Sequence, residues 1–225
     1  MDLQLTDHVV LVVGGTGLIG RAVARTLAEE GAVVVTAARG EGADLRLDAA
    51  DDASVEAAVA QVLERHGRID GLVVAAAPPA QTLDPARASD PAQVAQAVDG
   101  KAMTFLRIAN AVLPHMRAAG SGRVVGVSGQ NALITGNITG AVRNAALIIA
   151  AQSLADELAG TGVAVNVVNP GPVTDDARAE VALGKPGEST PQQVADLVVM
   201  LLSPRIAVSS ESIASGHRVR GAVAL

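Results

Sequence analysis

Residues 9–27 read VVLVVGGTGLIGRAVARTL and indicate the architecture of the whole chain. The apolar residues at the start predict a strand buried on both faces, and the amphipathic residues after the glycines predict a helix. Gly14, Gly17 and Gly20 stand between the two elements at regular spacing. Such a turn lets the backbone approach a pyrophosphate, whose charge then meets the helix N-terminus, whereas a plain strand-to-helix turn needs fewer glycines. The sequence therefore predicts a dinucleotide site, with contacts expected from Gly14, Thr16, Gly17, Leu18, Ile19 and Gly20.

Apolar runs of strand length alternate with longer amphipathic stretches along the rest of the chain. We expect strands at residues 9–13, 33–37, 71–75, 123–127 and 163–168, and helices near 20–30, 53–66, 91–117, 136–159 and 191–202. Strands that alternate with helical connectors form a parallel sheet that is covered on both faces. The predicted fold is α/β and Rossmann-type: a doubly wound parallel sheet in a three-layer α/β/α arrangement. One domain is expected over residues 1–225, with a short lid at about 175–190.

Composition and charge exclude several classes of protein. The net charge is -6 and no Lys/Arg-rich run is present, so nucleic acid is not an expected partner. The absence of cysteine excludes disulfides and thiolate metal sites, and no two histidines have metal-ligand spacing, so no metal is expected. We see no signal peptide and no apolar run near the roughly 20 residues that span a bilayer, so a cytoplasmic protein without membrane contact is expected.

The residues after the second predicted strand indicate which dinucleotide binds. Residues 36–39 read TAAR, and the first acid after them is Glu41. A carboxylate at this point binds the ribose hydroxyls of NAD, whereas an arginine pairs with the 2′-phosphate of NADP. NADP(H) is therefore the expected cofactor, held in part by Arg39. The alternative is that Arg39 is a solvated loop charge.

From the glycine turn onward the chain resembles the short-chain dehydrogenase/reductase family over essentially its whole length. Leu47 and Asp48 look like the family's third-strand motif, whose acid contacts adenine, and VAAA at 74–77 stands where the family usually has Asn-Asn-Ala-Gly. NPGPVT at 169–174 matches the loop that holds the nicotinamide end, and AVLPHM at 111–116 matches the end of a long interface helix. Leu18 stands at the family's usual middle glycine, a variant typical of extended and divergent members. The resemblance implies further cofactor contacts from Asp48, Ala75, Pro170, Gly171 and Val173.

The family's catalytic set is Asn, Ser, Tyr and Lys, and all four positions differ in this chain. GAVRNAAL at 140–147 aligns with Tyr-x-x-x-Lys-Ala-Ala-Leu, which puts Gly140 at the tyrosine and Asn144 at the lysine. The serine position falls on Gly129, next to Ser128, and the asparagine position falls on Lys101. In the family the tyrosine supplies the proton for carbonyl reduction, with its pKa lowered by the lysine. Because the chain contains no tyrosine, that mechanism is excluded.

Lys101, Ser128 and Asn144 are the expected catalytic residues. Lys101 lies mid-helix, where a cation facing the cleft is partly desolvated and has a lowered pKa. It can then polarise or protonate a carbonyl oxygen, or hold a substrate carboxylate. The alternative is an exposed lysine paired with Asp99 or Asp156. Arg143, one residue before the family's lysine position, is expected to point towards a neighbouring helix.

The expected function is an NADP(H)-dependent oxidoreductase that acts on a small carbonyl or alcohol substrate. Two alternatives stay open, because function belongs to the site and not to the scaffold. One is a non-redox enzyme, such as a cyclase, isomerase or dehydratase; the other is a catalytically silent nucleotide-binding partner or sensor. The helix near 136–159 is apolar nearly all round, so one side is expected to face a second subunit. We expect a homodimer or homotetramer through the helices near 91–117 and 136–159.

Overall fold

A parallel sheet forms the centre of the computed structural model, which describes residues 2–78 and 82–219. Its strands within these residues are β1 (Val9–Val13), β2 (Val33–Ala38), β3 (Leu45–Arg46), β4 (Gly71–Val74), β5 (Gly122–Val127), β6 (Val163–Pro170) and β7 (Ser212–Ser215). The strand order is β3-β2-β1-β4-β5-β6-β7, and every neighbouring pair is parallel. Chain order reverses between β1 and β4, and open sheets of this kind bind ligands at the carboxyl ends of the strands there.

Helices cover both faces of this sheet. They are α1 (Leu18–Glu29), α2 (Asp52–His66), α3 (Pro91–Val98), α4 (Thr104–Ala119), α5 (Ile138–Glu157) and α6 (Pro191–Leu202). One apolar cluster joins the sheet to α1 and α6, and a second joins its other face to α2, α4 and α5. Alternate residues of β1 enter opposite clusters, which explains why that strand is apolar at every position. The predicted Rossmann-type three-layer fold is confirmed.

The predicted helix over residues 91–117 is not a regular α-helix. A π-helical turn, Asp99–Met103, separates α3 from α4 and carries Lys101 near its centre. A π turn holds one residue more than an α turn, so it shifts the helical phase of the residues that follow, and such turns are frequent at functional sites. A strict 3.6-residue period could not predict this change of phase. Strand β7 also was not among the predicted strands.

Helix α5 corrects the expectation that no apolar run approaches the length of a membrane span. Its 20 residues, Ile138–Glu157, are long and apolar enough to cross a bilayer by length and composition. In the structure, however, Leu147, Ile148 and Ala151 are buried in the cluster against the sheet, as in the core helix of a globular domain. The opposite side leaves Ile149 about half exposed (49%).

Candidate active site

The glycine turn lies where the chain order of the sheet reverses, between β1 and β4, and Gly14 and Gly20 have no room for side chains. Gly14 has φ +86°, and a Cβ atom there would lie 2.7 Å from the backbone nitrogen of Ala76, which follows β4. A Cβ at Gly20 would lie 2.1 Å from the carbonyl oxygen of Gly14. Both positions therefore require glycine for steric reasons. The turn and the end of β4 are packed against each other, as a dinucleotide crevice requires.

The start of α1 is open to an anion. The residue before the helix is Gly17, so no side chain caps the first N–H groups. Gly17 and Leu18 are exposed, while Thr16 and Ile19 are half-buried. Free N–H groups and the helix dipole together favour a phosphate at this place. The predicted turn residues thus surround a site of the right chemistry.

A cavity of about 190 Å³ lies between β2, β3 and β4 at the same edge of the sheet. Arg39 and Asp48 both line it, so the two residues predicted for the ribose-phosphate and adenine end are brought together. The predicted contact Ala75 is not in the lining of this cavity, but the next two residues, Ala76 and Ala77, are.

Asp44 is a residue of this region that sequence reasoning missed. Its carboxylate accepts hydrogen bonds from the backbone N and the Oγ1 of Thr36, at 2.8 and 2.7 Å. These bonds from Thr36 hold the pKa of Asp44 below its ordinary value. The acid fixes the short link between β2 and β3, and so fixes the loop that carries Arg39. Nothing in the spacing from Thr36 to Asp44 predicts that contact.

A second cleft, of about 320 Å³, lies at the carboxyl ends of β5 and β6. Its lining brings together three groups of predicted residues: the catalytic candidates, one glycine-turn residue and the loop at 169–174, called the Pro-Gly loop below. These are Lys101, Ser128, Asn144, Ile19, Pro170, Gly171 and Val173. Catalytic and nicotinamide-end candidates therefore share one cleft.

Lys101 is buried in this cleft and is only 6% exposed. Its Nζ donates a hydrogen bond to the backbone oxygen of Ser128 at 3.0 Å. Burial, and secondarily the positive charge of Arg143, lower the pKa of Lys101 from 10.5 to about 7. The alternative of an exposed lysine paired with Asp99 or Asp156 is wrong, because Lys101 is buried and forms no ion pair with either acid. The ammonium group can therefore give up a proton near neutral pH.

Ser128 and Asn144 hold each other in place beside Lys101. The Oγ of Ser128 donates to the backbone oxygen of Asn144 at 2.9 Å, and the Nδ2 of Asn144 donates to the backbone oxygen of Gly140 at 2.9 Å. A Cβ at Gly129 would lie 3.3 Å from that Nδ2, so a serine at 129 would crowd Asn144. The changes at 129 and 144 therefore fit each other sterically.

Two amide side chains occupy the space next to Gly140, which the resemblance aligned with the tyrosine. A Cβ at Gly140 would lie 3.1 Å from the Cγ of Asn137 and 3.3 Å from the Nδ2 of Asn131. The Oδ1 of Asn137 accepts a hydrogen bond from the Gly140 N–H and caps α5. A Cβ at 140 would therefore require the capping side chain of Asn137 to shift by a few tenths of an ångström.

The sequence predicts that Arg143 points towards a neighbouring helix. In the structure it lines the same cleft as Lys101. It is 6% exposed, and its Nη1 donates to the backbone oxygen of Pro78 at 3.2 Å. Its Nε has no hydrogen-bond partner among the described residues. A signal was available: residues 140, 143 and 144 lie on one helical face, so Arg143 faces the cleft whenever Gly140 and Asn144 do.

The predicted lid returns across the Pro-Gly loop. Thr174 N donates to the backbone oxygen of Ser189 at 3.1 Å, and Ser189 N donates to that of Pro172 at 3.0 Å. A Cβ at Gly171 would lie 2.2 Å from the backbone oxygen of Gly187, so glycine is needed where the two segments cross. Pro186 of the lid also lines the cleft. The lid thus forms one wall of the site.

A family model described as Enoyl-(Acyl carrier protein) reductase matches residues 17–213. The chain belongs to the short-chain dehydrogenase/reductase family. It is 31% identical to the 3-oxoacyl-[acyl-carrier-protein] reductase FabG of Escherichia coli (strain K12), over 91% of this chain and 93% of that protein. It is also 31% identical to the cis-4-hydroxycyclohexanecarboxylate dehydrogenase of Sinomonas cyclohexanicum, over 90% of this chain and 92% of that protein. The resemblance seen in the motifs is thereby confirmed.

Two solved structures share the fold of this chain. The crystal structure of gox2181 superposes with a TM-score of 0.81 at 23% identity, covering 95% of this chain and 96% of that one. A short-chain type dehydrogenase/reductase from Mycobacterium ulcerans gives a TM-score of 0.77 at 25% identity, covering 93% and 88%. The matched sequences are named as reductases and dehydrogenases, and the family is one of oxidoreductases.

Proposed function

We propose that this chain is an NADP(H)-dependent oxidoreductase that acts on a small carbonyl or alcohol, with Lys101 as the proton donor in place of tyrosine. One observation carries the proposal. The Lys101 ammonium is buried in the cleft that the Pro-Gly loop lines, and burial lowers its pKa to about 7. A general acid works best when its pKa lies near the operating pH.

The charges around the first cavity support NADP(H). Arg39 and Asp48 both line it, and β2 ends at Ala38 without a carboxylate at its tip. The Arg39 guanidinium would hold the 2′-phosphate, the uncapped start of α1 would hold the pyrophosphate, and the residues of the second cleft would hold the nicotinamide ring. When bound, the nicotinamide supplies or accepts a hydride at the substrate carbon.

Lys101 and its neighbours handle the proton. In reduction the Lys101 ammonium gives one proton to the carbonyl oxygen as the carbon receives a hydride, which leaves an alcohol and a neutral amine. In oxidation the neutral amine takes the hydroxyl proton. Ser128 is a positioning residue, because its carbonyl accepts the Nζ hydrogen bond and so orients the amine. Asn144 in turn fixes Ser128, because its backbone oxygen accepts a hydrogen bond from the Ser128 hydroxyl.

Two measurements test this function. Calorimetric titration with NADPH, NADP and NADH checks the cofactor, and failure of all three to bind would remove the proposal. The absorbance of NADPH then checks turnover with two ketones. One is a 3-oxoacyl thioester, the group named in the first relative, and the other is 4-oxocyclohexanecarboxylate, the ketone formed by oxidation of the hydroxy acid named in the second. Lys101→Ala is expected to reduce the rate by about 100-fold or more. The matched control is Lys185→Ala, in the exposed part of the lid.

These measurements also separate the other two functions. A non-redox enzyme would form product without any change in the oxidation state of the cofactor. A silent partner or sensor would bind the dinucleotide and turn over no substrate. Unchanged turnover in Lys101→Ala would show that another group supplies the proton.

We also propose that the chain forms a homo-oligomer through α4 and α5. Ile138, Val142 and Ile149 of α5 are between 41% and 52% exposed, on the side that faces away from the sheet. Exposed apolar groups that share one face mark protein–protein contacts.

A further inference from the structure

The second cleft contains two buried cations and no acid to balance them. Lys101 and Arg143 are each 6% exposed and both line this cleft. Within residues 2–78 and 82–219, neither has a carboxylate within the 4.0 Å of an ion pair. Other arginines of the same region do have acidic partners: Arg68, Arg87, Arg107 and Arg178. The cleft therefore holds two buried positive charges without an ion-pair partner among these residues.

The arrangement is unfavourable for the empty protein. A buried cation without a partner loses its hydration and gains nothing in return. Lys101 responds by releasing its proton more readily, as its lowered pKa indicates. Burial also lowers the pKa of Arg143, but a guanidinium keeps its charge in proteins. Arg143 therefore stays a cation. Among residues 2–78 and 82–219 its one hydrogen bond is to the Pro78 carbonyl, and its Nε has no partner there.

The other polar side chains of the cleft are neutral and mostly engaged. Ser128 and Asn144 bond to backbone oxygens of α5. Gln130 is also engaged, since its Nε2 donates to Ser215 and its Oε1 accepts from Val219. The neutral amide of Asn131 also lines the cleft, and the rest of the wall is glycine, apolar or proline, including Val173 and Pro186. The two cations are thus the groups left to bind a charged ligand.

We propose that Arg143 anchors a carboxylate of the substrate, so that the substrate is a small oxo- or hydroxy-carboxylic acid with its carbonyl or hydroxyl at Lys101. This inference rests on the proposed function and adds the class of substrate. A guanidinium binds a planar carboxylate through two parallel hydrogen bonds, which fixes orientation as well as charge. The substrate must be small, because a volume of about 320 Å³ also holds the nicotinamide ring in the proposed function.

Binding is tested with unreactive acids and their uncharged amides, so that no turnover is needed. The probes are acetate, isobutyrate and cyclohexanecarboxylate, each compared with its carboxamide by calorimetric titration of the NADP-loaded protein. At least one acid is expected to bind about 10- to 100-fold more tightly than its amide, as a charge-assisted buried pair provides. If no acid binds better than its amide, the proposal is overturned.

Variants assign the preference to one residue. Arg143→Gln is expected to abolish the preference for the acid. Arg143→Lys is expected to keep part of it, because lysine keeps the positive charge but lacks the two parallel N–H donors of a guanidinium. Arg117→Gln, an exposed arginine of α4 outside the cleft, is the matched control and keeps the full preference. NADP binding shows that each variant is folded; if Arg143→Gln does not fold, Arg143→Lys decides. A full preference in a folded Arg143 variant overturns the proposal.

The two proposals fail in different ways. A carboxylate preference without NADPH turnover would contradict the redox function and keep the anion site. Turnover of neutral ketones as fast as oxo-acids of the same size would contradict the anion site and keep the redox function.

Discussion

Replacing Lys101 by methionine changes how the stability of the protein depends on pH. The lysine has a pKa of 10.5 when the chain is unfolded and of about 7 when it is folded. A lysine whose pKa is lower in the folded state destabilises that state, and the whole of this cost is present at pH values below the lower pKa. The unfolded chain binds more protons between the two values, so stability rises with pH there and the cost has vanished above the upper value. Methionine has a similar length and no charge, so the variant lacks this dependence.

The size of the effect follows from the two values. They lie about 3.5 pH units apart, and at 1.36 kcal/mol per unit the full cost below pH 7 is on the order of 5 kcal/mol. Methionine leaves the Ser128 backbone oxygen without its donor, which costs about 1 to 3 kcal/mol at every pH. The variant is therefore expected to be the more stable protein at pH 6 and the less stable one at pH 10. The difference between the two proteins changes by about 4 kcal/mol over this range.

Urea unfolding of both proteins at pH 6, 7, 8, 9 and 10 measures the effect. All other titrating groups are shared, so they cancel in the difference of the unfolding free energies. Lys185→Met, which changes the exposed lysine of the lid, is the matched control and should give a difference that is flat with pH. A flat difference for Lys101→Met as well would refute the argument, because it would mean that burial does not change the proton affinity of Lys101.

Four further outcomes are expected. The rate of carbonyl reduction falls as pH rises through about 7, where the Lys101 pKa lies, while the rate of alcohol oxidation rises. If the two rates did not change in opposite directions, Lys101 would not be the proton donor. Arg39→Ser weakens NADPH binding by about 10- to 100-fold and leaves NADH binding unchanged, by calorimetry. Gly20→Ala abolishes dinucleotide binding, since its Cβ would lie 2.1 Å from a backbone oxygen; retained affinity would disprove the steric argument. Val142→Glu with Ile149→Glu lowers the mass found by light scattering, and an unchanged mass would place the interface elsewhere.

The features that repeat along the chain were open to prediction from the sequence. Local sequence determines the strands β1 and β5, because a buried strand accepts mainly apolar residues. It also determines the turn from Gly14 to Gly20, because a tight turn has no room for side chains. The placing of Lys101 and Asn144 near the cleft was predicted from the family resemblance, since flanking motifs fix which residue lies at each strand end. The sheet and its binding edge therefore follow from the sequence.

Contacts between distant segments were not open to prediction. The direction of Arg143 depends on the Pro78 carbonyl, 65 positions earlier in the chain. The link from Ser128 to the backbone of Asn144 depends on how α5 meets the end of β5. The strength of burial at Lys101 depends on every element that packs around it, and the extra residue of the π turn leaves no mark in the spacing of apolar side chains. Each of these is decided by tertiary packing and not by the local pattern.

The π turn joins α3 and α4, two helices that pack against different neighbours and therefore need different rotations about their axes. Helix α4 has its rotation set by the sheet, through buried residues such as Phe105. Helix α3 has its rotation set by α5, where the Nε2 of Gln93 donates to Thr139 at 3.3 Å. Deleting Gly100 would make the two a continuous α-helix and turn one against the other by about 100°. Only one of the two attachments could then survive, so the added residue lets α3 and α4 keep independent partners while Lys101 stays between them.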